Sequence, residues 1–426
     1  RSTLRQAIEL RAHDEGGIGS VRLELLEDAL REVGDVPRGN ADSAWVARAE
    51  RLDAETQSPQ SRLMLVRWLA ASWRFDEAEA ALGTISSDEV ALEGTNAIAQ
   101  AYGSAGRFDE AIPLYEKALA DSARVRGDDH PDVLGARNNL AVAYRVMGRL
   151  NEAIALFEEV VADSVRVLGP DRPHTLASRG NLAVAYQEEG RLNEAIPLFE
   201  EVVADSVRVL GPDHPHTLVS RYNLAGAYRE EGCLDKAIPL YEGVLADRVR
   251  ILGADHPHTL VSRIDLAGAY QAAGRLGEAT TLFEGVLADH VRILGDDHPL
   301  TFTARNALAG TYQAAGRLSE AIPLYEGVLA DRVRVLGMDH PDTLTARHNL
   351  AGAHQAAGHL SEAISLFEEA LAGRMRILGP IHSDTLVSRR HLAYAYLEAG
   401  RVDDATAVLD PPTDPDDVDA HRIESR

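Results

Sequence analysis

The chain has 426 residues, 45% of them hydrophobic but only 5% aromatic, and a formal net charge of −24. That balance can fill a continuous core and keep a protein in solution, and it argues against binding the nucleic-acid backbone, which needs a basic surface. The single cysteine, Cys233, excludes an intrachain disulfide and makes a reducing cytoplasm the expected compartment; no apolar run approaches the roughly 18–20 residues of a membrane span.

Residues 1–57 carry amphipathic segments, VRLELLEDALREVG at 21–34 and SAWVARAERLDAE at 43–55, without a common register. Helices are expected there. Residues 60–84 read as one degenerate repeat, because WRFDEA echoes GRFDEA at 106–111. The region 1–88 is thus expected to be irregular and helical. From 89 to 409 a block of forty-two residues recurs eight times, marked by Gly106, Gly148, Gly190, Gly232, Gly274, Gly316, Gly358 and Gly400. A fixed period of this size means a stacked solenoid, in which each unit covers the hydrophobic face of the next. The acidic, proline-rich stretch 410–426, DPPTDPDDVDAHRIESR, is expected to be disordered. The first residue is Arg and no signal-like segment follows it, which leaves room for a longer protein upstream.

Each block reads as two helices. In residues 130–169, Pro131 suits the first turn of a helix, where its missing N–H costs nothing. Leu140, Ala141 and Tyr144 share one face at helical spacing. Gly148 ends the helix as a left-handed cap. Asn151 is expected at the next N-cap, and so are its equivalents Asp109, Asn193, Asp235, Ser319 and Ser361. The second helix should bury Ala153, Phe157, Val160 and Val161. Pro113, Pro197, Pro239 and Pro323 fall early in their second helices, where disruption is small.

Leu-Ala, a Tyr three on, Gly four after that, Ala five on and Phe or Tyr four further together resemble the tetratricopeptide pattern. The longer block, NLAxAYxxxGRxxEAxxLxE followed by VLGxDHPxTL, is similar to the forty-two-residue variety of kinesin light chains and many bacterial proteins. The resemblance covers about 89–409 and implies an all-α fold, a right-handed α-solenoid of tandem helix-turn-helix repeats. The usual Trp near the start of the first helix is missing. Arg137, Arg179, Arg221, Arg263, Arg305, Arg347 and Arg389 hold that slot.

The chemistry-bearing residues mostly recur with the repeat. His130, His214, His256, His298, His340 and His382 stand in the DHP-type loops. Neighbouring copies lie about one helix-packing distance apart, roughly 8–10 Å, while zinc holds its ligands at about 2.0–2.1 Å. They are expected to help cap the first helices, and no metal is expected. No phosphate-cradling loop, nucleophile elbow or HExxH motif is present, so neither catalysis nor a cofactor is expected. Projected at 100° per residue, the repeated Arg falls on the packed side of its helix. A buried charge needs a partner. Asp121–Arg137, Asp163–Arg179, Asp205–Arg221, Asp247–Arg263, Asp289–Arg305 and Asp331–Arg347 are expected to pair across the inter-unit hairpins; an acidic-ligand role is the alternative. Gly373 would leave Arg389 without its Asp.

The opposite face varies against this constant framework. Asn138, Gly180, Tyr222, Ile264, Asn306, His348 and Arg390 are equivalents, and beside them stand Asn139, Asn181, Asn223, Asp265, Ala307, Asn349 and His391. One turn on come Gly226, Gly268, Gly310 and Gly352, which read either as room for a ligand backbone or as copies of one duplicated unit. Arg145, Gln187, Arg229, Gln271, Gln313 and Gln355 follow. The family resemblance implies that these positions line a concave groove and that such an Asn holds a peptide main chain. Amides can donate and accept at once, as an extended backbone requires. The expected partner is therefore a protein or peptide, with Tyr222, Ile264 and His348 as apolar anchors, and neither nucleic acid nor membrane. The expected role is a protein- or peptide-binding scaffold. The alternative is the sensor or oligomerisation arm of a larger bacterial signalling or defence protein, with an NTPase or protease effector fused or associated.

Overall fold

The computed structural model describes residues 43–409. The expectations for 1–42 and for the tail 410–426 lie outside the described residues. Among the described residues every regular element is an α-helix. They begin with α1 (Ser43–Thr56), α2 (Pro59–Ala71), α3 (Phe75–Leu82), α4 (Asp88–Ser104) and α5 (Phe108–Arg126). The repeats continue as α6 (Pro131–Val146) and α7 (Leu150–Val167), α8 (Pro173–Glu188) and α9 (Leu192–Leu210), α10 (Pro215–Glu231) and α11 (Leu234–Leu252). Then come α12 (Pro257–Ala272) and α13 (Leu276–Leu294), α14 (Pro299–Ala314) and α15 (Leu318–Leu336), α16 (Pro341–Ala356) and α17 (Leu360–Leu378). The pair α18 (Ser383–Glu398) and α19 (Val402–Leu409) closes the series. This is an all-α solenoid of tandem helix-turn-helix repeats. The chain forms two compact units that divide between Asn223 and Leu224, inside α10.

Within each unit a second helix packs against the first helix of its own repeat and against the first helix of the next: α7 lies between α6 and α8, and α15 between α14 and α16. Alanines allow the close approach. Ala141, Ala153, Ala183 and Ala195 are fully buried in the first unit, with Phe157 and Phe199 between them. In the second unit Phe283, Leu308, Tyr312 and Tyr325 form an equivalent core.

Local chemistry sets the helix ends. The DHP-type histidines cap the first helices as expected. Nδ1 of His130, His214, His256, His298, His340 and His382 accepts the N–H two residues on, at 3.2 Å in every case. Gly148 turns the chain with φ +73°, in the left-handed region that favours glycine. At the equivalent turn of the degenerate repeat, Trp73 adopts φ +60° with a side chain in place of the glycine, a conformation that costs about 1 kcal/mol.

The second helices start two residues earlier than expected. The N-cap is Arg149 and not Asn151, and likewise Arg107, Arg191, Cys233, Arg317 and His359 replace Asp109, Asn193, Asp235, Ser319 and Ser361. None of these N-caps accepts a backbone N–H through its side chain. Arg149 binds Glu152 in the first turn, with Nε 2.7 Å from Oε2, and stacks its guanidinium over Tyr144 at 4.1 Å. A cation–π contact and an ion pair thus hold the turn that a short polar cap would otherwise hold.

Candidate functional site

The arginine slot is a ladder, but its register is the reverse of the expected one. Arg137 Nη1 donates to Asp163 Oδ2 at 2.8 Å, and Arg179 pairs with Asp205 at 2.8 Å. Arg263 pairs with Asp289 and Arg305 with Asp331, both at 2.6 Å. Each Arg therefore reaches the second helix of its own repeat. The expected backward pairs Asp121–Arg137, Asp163–Arg179, Asp247–Arg263, Asp289–Arg305 and Asp331–Arg347 are replaced, and Asp205 serves Arg179 and Arg208. The physical reason is that level-matching in an antiparallel hairpin does not distinguish the two second helices flanking a first helix. The missing Asp also changes place: Gly373 deprives Arg347 and not Arg389, and Arg347 binds Glu369 at 3.2 Å instead.

Each aspartate also holds a second arginine. Asp163 accepts from Arg166 at 2.7 Å, and Arg166 binds Asp129, in the loop before α6, at 2.6 Å. Arg208 and Arg292 repeat the arrangement with Asp171 and Asp255. The hydrogen bond from Arg166 holds the Asp163 carboxyl below the usual carboxylate range, with Arg137 adding to the effect. Arg208 and Arg292 do the same to Asp205 and Asp289. The ladder is thus saturated within each repeat, which favours a structural role over the capture of an acidic ligand.

Further arginines were not legible in the sequence. Arg248, Arg332 and Arg374 stand in second helices where other repeats have Ser122, Ser164 and Ser206, and all three are buried. Arg374 Nη1 donates to Ser388 Oγ at 2.7 Å and to the Asp384 carbonyl at 3.1 Å. Arg248 binds Ser262 Oγ at 2.6 Å and the His258 carbonyl at 3.1 Å. Each guanidinium crosses to the first helix of the next repeat. A substitution that breaks the pattern at a small buried residue is the signal that marks them.

On the other face, successive first helices meet directly, α6 with α8 and α14 with α16. Four of the bonds between them run from a residue to its equivalent plus one, and the Arg229–Asp265 pair runs 36 residues on instead. Asn181 Nδ2 donates to Asn138 Oδ1 and Asn349 Nδ2 to Asn306 Oδ1, both at 3.1 Å. Arg145 bonds Glu188, and Gln355 Nε2 bonds Glu398 at 2.8 Å. Arg229 Nη1 is 3.3 Å from Asp265 Oδ1. Asn139, Gln187, Tyr222, Asn223, Gln271 and Gln313 are half-buried on the same face. A Cβ at Gly268 would stand 3.7 Å from Arg229 Nη1, and one at Gly352 would stand 3.9 Å from Gln313 Nε2. Gly268 and Gly352 thus lie beneath the long side chain of the preceding repeat, whereas a Cβ at Gly310 would stand 3.3 Å from the hydroxyl of Tyr325 in its own repeat.

The three apolar anchors differ in setting. Ile264 packs against the core around Phe283 and Leu308. His348 meets Phe367 edge-on at 5.0 Å and His391 at 4.8 Å, and burial pushes its pKa down to about 4. Tyr222 is half-buried and belongs to the first unit, whereas Ile264 and His348 belong to the second. Among the described residues no group of three or more His, Cys, Asp or Glu could hold a metal ion, and no helix is long and apolar enough to cross a membrane.

Sequence comparison gives the class of repeat. Seven matches to the tetratricopeptide repeat model cover 91–162, 132–205, 175–232, 220–289, 264–331, 301–376 and 342–410. The chain belongs to the tetratricopeptide repeat family. Its units are of the kinesin light chain-like type: nearly identical TPR-like repeats from Podosopora anserina, named for a kinesin light chain, are 39% identical. That match covers 48% of this chain and 97% of the other, with a TM-score of 0.46. The fold is also that of the apo quorum sensor NprR from B. thuringiensis, 14% identical over 87% of this chain and 97% of the other, TM-score 0.59. A Signal Transduction ATPase with Numerous Domains from Pyrococcus horikoshii, with a tetratricopeptide repeat sensor, is 14% identical over 82% of this chain and 56% of the other, TM-score 0.55. No curated protein sequence matches the chain.

Proposed function

We propose that the chain is a protein- or peptide-binding scaffold whose site is the face built by its first helices. The observation that carries this reading is the row of half-buried amides and arginines, with Asn181–Asn138 and Asn349–Asn306 bonded from repeat to repeat. Each such amide spends part of its hydrogen-bonding capacity on its neighbour and keeps the rest for a ligand backbone. The residues beside the row vary while the framework stays constant, which is how a repeat array tunes one groove for one partner. The ligand is an extended segment or a short helix with one or two bulky apolar side chains. Ser388 Oγ lies 3.4 Å from His348 Nδ1, but the hydroxyl is buried and accepts from Arg374 at 2.7 Å, which suits a structural role, and the scaffold acts by binding.

The test uses a partner recovered with the full chain and then purified. Tyr222→Ala and Asn223→Ala in the first unit, and Gln271→Ala and Gln313→Ala in the second, weaken its binding without loss of helicity by circular dichroism. Control reversals belong at Glu159 and Glu326. Glu158 and Glu201 are unsuitable, because they hold Tyr186 at 2.7 Å and Arg179 at 2.6 Å. Normal binding by the four alanine variants, with binding abolished by Glu159→Lys, places the partner on the second helices instead.

A second reading makes the same face the sensor of a larger assembly. Two proteins of this fold are named as a quorum sensor and as carrying a repeat sensor. Gel filtration of the chain with and without its partner separates the readings, since a sensor arm changes assembly on binding and a passive scaffold does not.

A further inference from the structure

One turn of the array departs from the rest. Where a first helix hands over to its second helix, an arginine guanidinium as a rule lies over the tyrosine five residues before it. Arg149 lies over Tyr144 at 4.1 Å, Arg191 over Tyr186 at 4.3 Å, and Arg275 over Tyr270 and Arg317 over Tyr312 at 4.2 Å. The repeat that starts at Pro341 carries His354 and His359 in these two positions. Cys233 is a single exchange that keeps Tyr228, whereas here both members of the contact are replaced, and by the same residue type. Unlike the DHP-type histidines, this pair does not recur with the period.

The backbone of the turn is unchanged. The His359 N–H donates to the His354 carbonyl at 2.9 Å, as that of Arg317 does to Tyr312 at 2.8 Å, and Gly358 holds φ +78°. On this fixed frame the two imidazoles meet with Nδ1 3.3 Å from Nδ1. Two nitrogens bound to one zinc ion at a tetrahedral angle stand about 3.3–3.4 Å apart, so the pair already has the bite of a chelate. His359 is exposed and His354 half-buried, which leaves an ion room for its waters. A negative charge stands nearby. The equivalents Glu152, Glu278 and Glu320 are bound by the repeat arginine, which Glu362 lacks. The Ser361 hydroxyl holds the Glu362 carboxyl below the usual range, and His359 and His354 add to the effect. Glu362 does not make a three-ligand group with them, so it attracts an ion without binding it. We propose that His354 and His359 chelate a divalent transition-metal ion of the kind that favours imidazole, with water completing its coordination. Zinc, copper and nickel fit that description, and the net charge of −24 favours a cation. The ion takes over the task of the missing arginine stack, because it ties the last turn of α16 to the start of α17. None of Tyr222, Asn223, Gln271 or Gln313 belongs to this site, so it and the proposed groove can fail separately.

The probe is Zn²⁺ alone, titrated calorimetrically into the full chain at about pH 7.5, where unperturbed imidazoles are neutral. The control is His354→Tyr/His359→Arg, which restores the pair found at Tyr312 and Arg317. Its fold is therefore retained, as circular dichroism checks, and Cys233 and the capping histidines remain as background in both proteins. The expected result is one Zn²⁺ per wild-type chain that the double variant does not bind. His354→Tyr alone should weaken that binding about tenfold or more, since even an outer-shell partner is worth as much. Zn²⁺ should also raise the urea midpoint of the wild type and leave that of the double variant in place, as a ligand of the folded state does. Equal isotherms for the wild type and the double variant overturn the proposal, as does wild-type affinity in His354→Tyr. One ion per two chains, with the mass doubled in gel filtration, overturns it likewise, because the imidazoles of two copies then make the site.

Discussion

The guanidinium of Arg179 donates to Asp205 at 2.8 Å, on the helix that follows it, and leaves Asp163 on the preceding helix to Arg137 and Arg166. In the pairs of Arg137, Arg179, Arg263 and Arg305 the ladder therefore staples a repeat to itself. Arg179 is 12% exposed and Asp205 27%, so the pair is only partly shielded from solvent. In a double-mutant cycle Arg179→Ala and Asp205→Ala should couple by about 1–2 kcal/mol. Arg179→Ala and Asp163→Ala should be additive within about 0.5 kcal/mol. Urea unfolding of the four proteins measures both, and coupling in the second cycle would place the ladder across the boundary after all.

Among the contacts that do cross the boundary are those of the buried Arg248, Arg332 and Arg374. Arg374→Ser should destabilise the second unit by about 2–4 kcal/mol, since the Asp384 carbonyl and the Ser388 hydroxyl lose a donor and a cavity opens. A loss below about 0.5 kcal/mol in chemical denaturation would show that the serine of the other repeats substitutes freely.

The period of forty-two made the helix pairs, the glycine turns and the histidine caps legible, because each depends on residues adjacent in sequence. His130 caps the N–H only two residues away, and Gly148 turns its own helix. Side-chain direction was not legible. Arg137 and Tyr144 lie on the same packed side, yet Tyr144 reaches back to Glu116 at 2.8 Å while Arg137 reaches forward to Asp163. That choice depends on how a first helix sits between two second helices, which periodicity does not encode. The N-cap error has a similar source. Asn151 is a good cap in isolation, but the Arg149 stack on Tyr144 and its pair with Glu152 start the helix earlier. On the variable face the residue types were legible, but their bonds from repeat to repeat were not, because those depend on how successive first helices meet.

The capping histidines offer a local test. His340→Ala should cost about 1 kcal/mol, the usual value of a lost side-chain cap, and His340→Asn should recover most of it because Asn reaches the same N–H. Thermal unfolding followed at 222 nm reads the difference. Equal melting temperatures for the wild type and His340→Ala would mean that Pro341 alone sets the start of α16.

His348 makes the second unit sensitive to acid. Its ring is packed between Phe367 and His391, and burial, reinforced by Arg374, lowers its pKa from 6.5 to about 4. An unfolded chain binds this proton below about 6.5 and the folded chain only below about 4, so between these values the unfolded state holds more protons. Stability contributed by the neutral ring is therefore complete above pH 6.5 and is lost as the pH falls toward 4, with no further loss below. The full difference is about 3 kcal/mol. His391 is shifted in the same direction by partial burial and by Arg390, and adds to the slope. His348→Asn, the residue at Asn306, loses the packing on Phe367 and should start from lower stability at neutral pH. Its decline between pH 6.5 and 4 should nevertheless be shallower than that of the wild type, because the remaining carboxylates titrate in both proteins alike. Urea midpoints at half-unit pH intervals measure the two slopes. Parallel curves across that window would show that His348 takes up its proton without disturbing Phe367.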